Sequence, residues 1–175
     1  EHAVPVKPID GFLPRFEAAR DRVMKAKGRA RIGVVGGGAG GVELLLALHH
    51  RLMRDVTSAG YDAAGLSFVL VTSSPDLLPT LPAETRGRFA KLMVERGIVV
   101  RTNARVTAVH DKAVEIAGGE RIGIDEIFWT TRAAAAPWLR ETGLALDDKG
   151  FVRVGRTLQS ASHPYVFAVG DVAAI

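Results

Sequence analysis

The chain has 175 residues, 47% of them hydrophobic and 24% charged, with a formal net charge of +4, the profile of one well-buried soluble domain. No apolar run approaches the roughly 20 residues of a membrane-spanning helix, and no basic stretch is interleaved with aromatics, which argues against nucleic acid. With no cysteine, disulfides, thiolate metal sites and cysteine nucleophiles are excluded, and a reducing, cytoplasmic setting is expected.

In chain order, Glu1–Ile9 carries Pro5 and Pro8 and should be extended. Asp10 has the chemistry of an N-cap. Phe12, Leu13, Phe16, Ala19, Val23 and Met24 recur at spacings of three and four, the stripe of an amphipathic helix that Gly28 would stop. Arg31–Val35 reads as a buried strand running into the glycine run 36–41. A long helix follows, with Val42, Leu45, Leu46, His49, Leu52, Met53 and Val56 on one face. His49 should pack and His50 should be solvated, because neighbours on a helix point about 100° apart.

Leu66–Val71 is a second strand, 72–82 a polar loop, 83–96 a helix, and Ile98–Arg101 a third strand. Arg105–His110 and Ala113–Ala117, with Asp111-Lys112 and Gly118-Gly119 at turns, predict an antiparallel meander. Glu126–Thr130 is a buried strand and Pro137–Thr142 a short helix. Phe151–Val154 and Tyr165–Val169 read as the last strands, and Trp129 and Trp138 as core or interface anchors. This alternation predicts an α/β fold: a Rossmann-type parallel sheet with crossover helices plus a small antiparallel β-meander. Residues 1–28 are expected as linker and helix, and 29–150 as the nucleotide-binding domain.

Gly36-x-Gly38-x-x-Gly41 satisfies G-x-G-x-x-G where it must, between a strand and a helix. Gly36 would allow the tight turn, Gly38 the close approach of a pyrophosphate, and Gly41 helix–strand packing. With Gly37, Ala39 and Gly40 they would bring free N–H groups and a partial positive charge to phosphates. NAD(H) or NADP(H) is the expected ligand. The acidic residue usual after the second strand, which would bind the ribose hydroxyls, is missing. Thr72, Ser73 and Ser74 stand there, and Asp76 lies further on. Hydroxyls from Thr72 and Ser73 could donate to a 2′-phosphate, but Arg86 and Arg88, the nearest arginines downstream, should sit on the next helix. The choice between the cofactors stays open, with NAD(H) the default.

Val34–Glu43 resembles the pyridine-nucleotide motif of the two-dinucleotide-binding flavoproteins, the pyridine nucleotide-disulfide oxidoreductases, and Glu43 matches a glutamate of that motif. The stretch 157–171 resembles the family's second flavin motif, with Gly170 and Asp171 at its Gly-Asp. The segments 4–12 and 128–139 look most like a branch near type II NADH dehydrogenase or one linked to selenophosphate synthetase. The resemblance implies hydride transfer from NAD(P)H to FAD. It implies that 151–175 begins the C-terminal part of a FAD-binding domain whose first half lies upstream of Glu1. An electron acceptor of unknown kind is implied, and a homodimer is left open. No general acid, base, nucleophile or metal site is expected, because the cofactors carry the chemistry. On these terms 175 residues alone should lack full flavin activity.

One departure stands out. Family members read Ala-Thr-Gly after the strand that crosses between domains, and this chain reads Thr130-Thr131-Arg132. Either the loop is displaced or Arg132 contacts a phosphate or carboxylate, with a solvated surface arginine the alternative. The missing carboxylate and Arg132 also keep alive a non-catalytic dinucleotide sensor or regulatory module. An interaction domain that has lost its ligand is a third reading, disfavoured by the intact glycine run.

Overall fold

The computed structural model describes residues 3–6, 11–130 and 135–175. The chain divides into two compact units, Glu1–Thr131 and Arg132–Ile175.

The first unit is built on a five-stranded sheet in the order β1-β8-β2-β3-β4. Its strands are β1 (Val4–Pro5), β2 (Ala30–Val35), β3 (Leu66–Val71), β4 (Ile98–Arg101) and β8 (Glu126–Trp129). Every pairing is parallel. Helix α1 (Phe12–Lys25) precedes β2, α2 (Ala39–Ser58) crosses from β2 to β3, and α3 (Ala83–Glu95) crosses from β3 to β4. A separate antiparallel meander of β5 (Val106–His110), β6 (Ala113–Ile116) and β7 (Arg121–Gly123) follows. The α/β class, the parallel sheet and the meander are as the sequence pattern requires.

The strands read as continuous apolar runs because the sheet is covered on both faces. Ile32, Val34, Phe68, Leu70 and Phe128 point to one side. There they join Phe16, Ala19 and Val23 of α1 and Val42, Leu45, Leu52 and Val56 of α2. Val35, Val69, Val71 and Ile127 point to the other side, against Val114, Ile116, Ile122 and Ile124 from the meander and the residue after it. The period of two along each strand thus sorts residues between two cores.

Two partly buried ionic contacts tie α1 down, each with a buried or nearly buried carboxylate and a more exposed arginine. Arg22 donates to both carboxylate oxygens of Glu126 on β8, at 2.6 and 2.8 Å. Asp55 on α2 accepts from Arg20 Nε at 2.6 Å and Arg51 Nε at 2.8 Å. Burial pushes the Asp55 carboxyl up, but the hydrogen bonds from Arg20 and Arg51 outweigh it and leave the group below its ordinary value.

Several expectations need correction. Leu13 belongs to the helical stripe but is 62% exposed, at the edge of the face that Phe16 and Val23 bury. Val4–Pro5 is a strand of the sheet, not merely extended chain. The proposed N-cap, Asp10, lies outside the described residues, and Gly11 takes the N-cap position with no side-chain bond. In the second unit, Tyr165–Val169 is not a strand. The sheet there is only β9 (Val152–Arg153) beside β10 (Ala173–Ala174), and the 165–169 stretch makes just one antiparallel bridge, Phe167 with Gln159, flanked by the Ser160–Val166 and Ala168–Leu158 backbone bonds, too little for a strand. Tyr165 is accordingly 95% exposed, and Trp138, expected as an anchor, is 61% exposed. A small core of Leu139, Val152, Val154 and Ala168 holds this unit together.

Candidate functional site

The register brings the site together. Val35 pairs with Val71 on one side and with Trp129 on the other. The next residues, Gly36, Thr72 and Thr130, therefore leave the sheet side by side at its C-terminal edge. This is the edge at which open α/β sheets bind ligands.

The turn at Gly36 needs glycine. Its φ is +131°, and a Cβ there would lie 2.5 Å from Thr130 Oγ1. Gly36 N–H donates to Val71 O at 2.9 Å. Thr130 is pinned in return, its N–H and Oγ1 both donating to Val35 O at 2.9 and 3.1 Å. At Gly41 the requirement is space: a Cβ would stand 1.9 Å from the Gly36 carbonyl oxygen. Helix α2 can thus start directly on the end of β2 only without a side chain at that position. Gly37 is buried against Thr72, and its carbonyl accepts from Leu78 N–H at 2.8 Å.

Gly38 and Gly40 behave differently. A Cβ at either would meet nothing within 4 Å, and Gly38, Ala39 and Gly40 are all exposed. Gly38 is the N-cap of α2, and no side chain caps it. The Gly38 carbonyl accepts from Gly41 and Val42 at 3.1 Å. The first-turn N–H groups of an α-helix have no intrahelical partner, so this open helix start offers donors and partial positive charge to an anion. The space that the first two requirements leave unfilled is where a pyrophosphate would fit.

The other expected residues differ in where they lie. Thr72 is 5% exposed and faces inward, with its Oγ1 accepting from Ser74 N–H at 3.2 Å. Ser73 is exposed at the same edge. Arg86 and Arg88 do lie on α3, and both are engaged: Arg86 with Asp76 at 2.6 Å and Arg88 with Glu84 at 2.6 Å. Glu43 is exposed but is the fifth residue of α2, beyond the first turn where a carboxylate best complements the helix dipole. Arg132 lies outside the described residues. Gly170 and Asp171 belong to the second unit, exposed, in a 3-10 turn (Gly170–Val172) whose N-cap is Val169, so Asp171 is not its cap. Gly170 has φ +73°.

Two participants were missed at sequence level: Thr130, which holds the Gly36 turn, and the packing of Thr72 under Gly37. The signal available was a hydroxyl residue immediately after each of two parallel strands flanking the glycine strand. Among the described residues, no group of three His, Cys, Asp or Glu could hold a metal ion, and no helix is long and apolar enough to cross a membrane.

An open parallel sheet with a glycine turn, an uncapped helix start and a hydroxyl-lined edge defines a dinucleotide-binding α/β protein. Comparison with known proteins narrows the class. A family model described as pyridine nucleotide-disulphide oxidoreductase matches residues 4–175, and the chain belongs to that family. The type II NADH:quinone oxidoreductase of Haemophilus influenzae is 32% identical over 151 residues, covering 84% of this chain and 34% of that protein. Demethylphylloquinone reductase of Synechocystis is 28% identical over 146 residues, covering 82% of this chain and 34% of that protein. A solved structure of the NDH2 protein of Plasmodium falciparum in complex with NADH shares the fold, with a TM-score of 0.77 at 19% identity, over 99% of this chain and 40% of that one. Of the two branches expected, these relatives are of the NADH dehydrogenase kind. The chain spans about a third of the length of the curated relatives it matches.

Proposed function

We infer that this chain is the NAD(P)H-binding part of a FAD-dependent oxidoreductase. The observation that carries the reading is the exposed, uncapped start of α2 at Gly38–Gly40, set at the C-terminal edge of the sheet. When bound, the nicotinamide would supply hydride and a flavin would accept it. The chain's own residues bind and orient. Ala39 and Gly40 N–H groups would receive the pyrophosphate. Gly36, Gly41 and Thr130 hold the turn that aims them, and Thr72 supports Gly37 from beneath. Ser73 is the exposed hydroxyl placed to meet the adenosine ribose. Glu43 would face the nicotinamide end.

Residues 29–150 are assigned to nucleotide binding. Residues 151–175, including Gly170 and Asp171, are assigned to the start of a flavin-binding segment completed elsewhere in the polypeptide. Arg132 keeps its assignment as a contact for a phosphate or carboxylate. The reductant would pass electrons onward to an acceptor, and quinone is the acceptor in the name of one relative above.

A second reading, a dinucleotide sensor without catalysis, draws on one observation. Thr72 replaces the ribose-binding carboxylate and is turned inward, which weakens one anchor of a productive pose.

Calorimetric titration with NADH and separately NADPH tests the site. Binding of at least one is expected, and its loss in Gly38→Val, where the side chain would occupy the open cradle without disturbing the fold. Unchanged affinity in that variant would overturn the assignment. Retention of FAD by the 175-residue chain, with turnover of NADH, would contradict the need for a further flavin segment.

A further inference from the structure

Helix α2 carries a second site at its other end. A cavity of about 340 Å³ opens there, lined by His49, His50, Arg54, Thr57 and Ser58 of α2, with Met53, and by Arg96 from the end of α3. The lining contains no carboxylate. At 1.5 Å per residue, His49 lies about 15 Å along the helix from Ala39. The cavity is therefore separate from the glycine turn.

The charges do not cancel locally. Arg96 has no ion-pair partner among the described residues. Arg54 reaches only 3.9 Å from Asp55 Oδ1, and that carboxylate is already held by Arg20 and Arg51. The cavity sits where α2 and α3 both end, and each helix C-terminus contributes a partial charge of about −0.5. Together they offset about one of the two guanidinium charges. His49 adds an unmet polar need: its Nδ1 is shut off from solvent with no hydrogen-bond partner, while its ring packs 4.8 Å from the Phe68 ring on β3. Burial, the largest cause, and then the charge of Arg96 hold this imidazole below its ordinary value, against a hydrogen bond to the Arg96 backbone that raises it.

We propose that this cavity binds a small phosphate-type oxyanion, either inorganic phosphate or a soluble phosphomonoester, through Arg96 and Arg54, with His50 and Ser58 completing the hydrogen bonds; the Thr57 hydroxyl lines the wall but donates to the Met53 carbonyl at 2.8 Å. The volume stands at the low end of small-molecule pockets, which run from about 300 Å³ upward, so it suits a single phosphoryl group and not a dinucleotide. Guanidinium pairs with oxyanions in a charge-assisted, directional way that lysine does not match.

The test is an NMR titration of isotope-labelled chain with potassium phosphate and with glycerol phosphate, against potassium chloride at equal ionic strength. Saturable shifts are expected at His49, His50 and Arg96 with both phosphates and not with chloride. The tighter of the two identifies the source of the phosphoryl group. Arg96→Gln, an exposed substitution, should weaken half-saturation at least about tenfold and leave shifts at Gly38–Gly41 unchanged. Arg54→Gln provides the same readout independently. Shifts that do not saturate, that chloride reproduces, that appear only at Gly38–Gly41, or that survive both substitutions would overturn the proposal. Because the glycine turn is read in the same spectra, failure here is distinguishable from failure of the nucleotide site.

Discussion

Gly41→Ala is the sharpest test of how the glycine turn works. The added carbon would lie 1.9 Å from the Gly36 carbonyl oxygen, where a close C···O contact is about 3.3 Å. One backbone must therefore retreat by about 1.4 Å. Neither has room to do so freely, because α2 is locked onto β2 and β3 through Val42, Leu45, Ile32 and Phe68. Overpacking of this kind costs about 1–3 kcal/mol, and a rigid carbonyl as the obstacle puts the cost at the upper end. Alanine regains somewhat under 1 kcal/mol over glycine within a helix. The net loss is about 2 kcal/mol, or roughly 4–8 °C in Tm for a chain of this size.

Gly38→Ala is the matching control. Its φ of −77° suits any residue, and its Cβ meets nothing within 4 Å, so its Tm should stay within about 1 °C of the parent. Differential scanning calorimetry on the two variants checks the pair. Equal melting of parent and Gly41→Ala, or equal losses in both variants, would refute the packing argument.

Arg22→Ala should cost about 2 kcal/mol in urea denaturation, because it strands the Glu126 carboxylate, 9% exposed, without its partner. Glu126→Gln should cost less, since no buried charge is left behind. Asp55→Asn should lower stability at neutral pH and flatten its acid dependence. The parent's Asp55 carboxyl is held below its ordinary value, so its contribution is full above the ordinary aspartate range and is lost as pH falls through and below it. Denaturation midpoints across that range should diverge least at the acid end. His49→Gln should flatten the response at milder pH. His49 is held low, so the fold is favoured above the ordinary imidazole value of about 6.5 and loses stability as pH falls below it. A parent whose midpoint is constant from about pH 7.5 to 5 would contradict that.

Much of this fold was legible because the decisive signals are local. β3 and β4 were bounded correctly because each is a continuous apolar run between polar or glycine punctuation, and the turns at Lys112 and Gly118-Gly119 carry the positive φ that such punctuation announces. The glycine run was legible for the same reason, since strand, turn and helix follow one another in sequence. Tyr165–Val169 misled because apolar alternation reports only what a segment could bury, not how far a neighbour pairs with it or covers it: the stretch makes a single bridge, Phe167 with Gln159, and its large side chains stay exposed. Thr130 and Thr72 were not legible as supports of Gly36 and Gly37, because those contacts join three separate strand ends and depend on register. The cluster at His49 and Arg96 depends likewise on two helix ends meeting, and no spacing within either helix records it.

The central claim is that the open start of α2 receives a pyrophosphate. A crystal structure of the chain with NADH or NADPH tests it most directly. Phosphate oxygens are expected within hydrogen-bond distance, about 2.7–3.2 Å, of the Ala39 and Gly40 N–H groups, with the adenosine ribose beside Ser73. A nucleotide bound elsewhere, with those N–H groups facing only solvent, would contradict it.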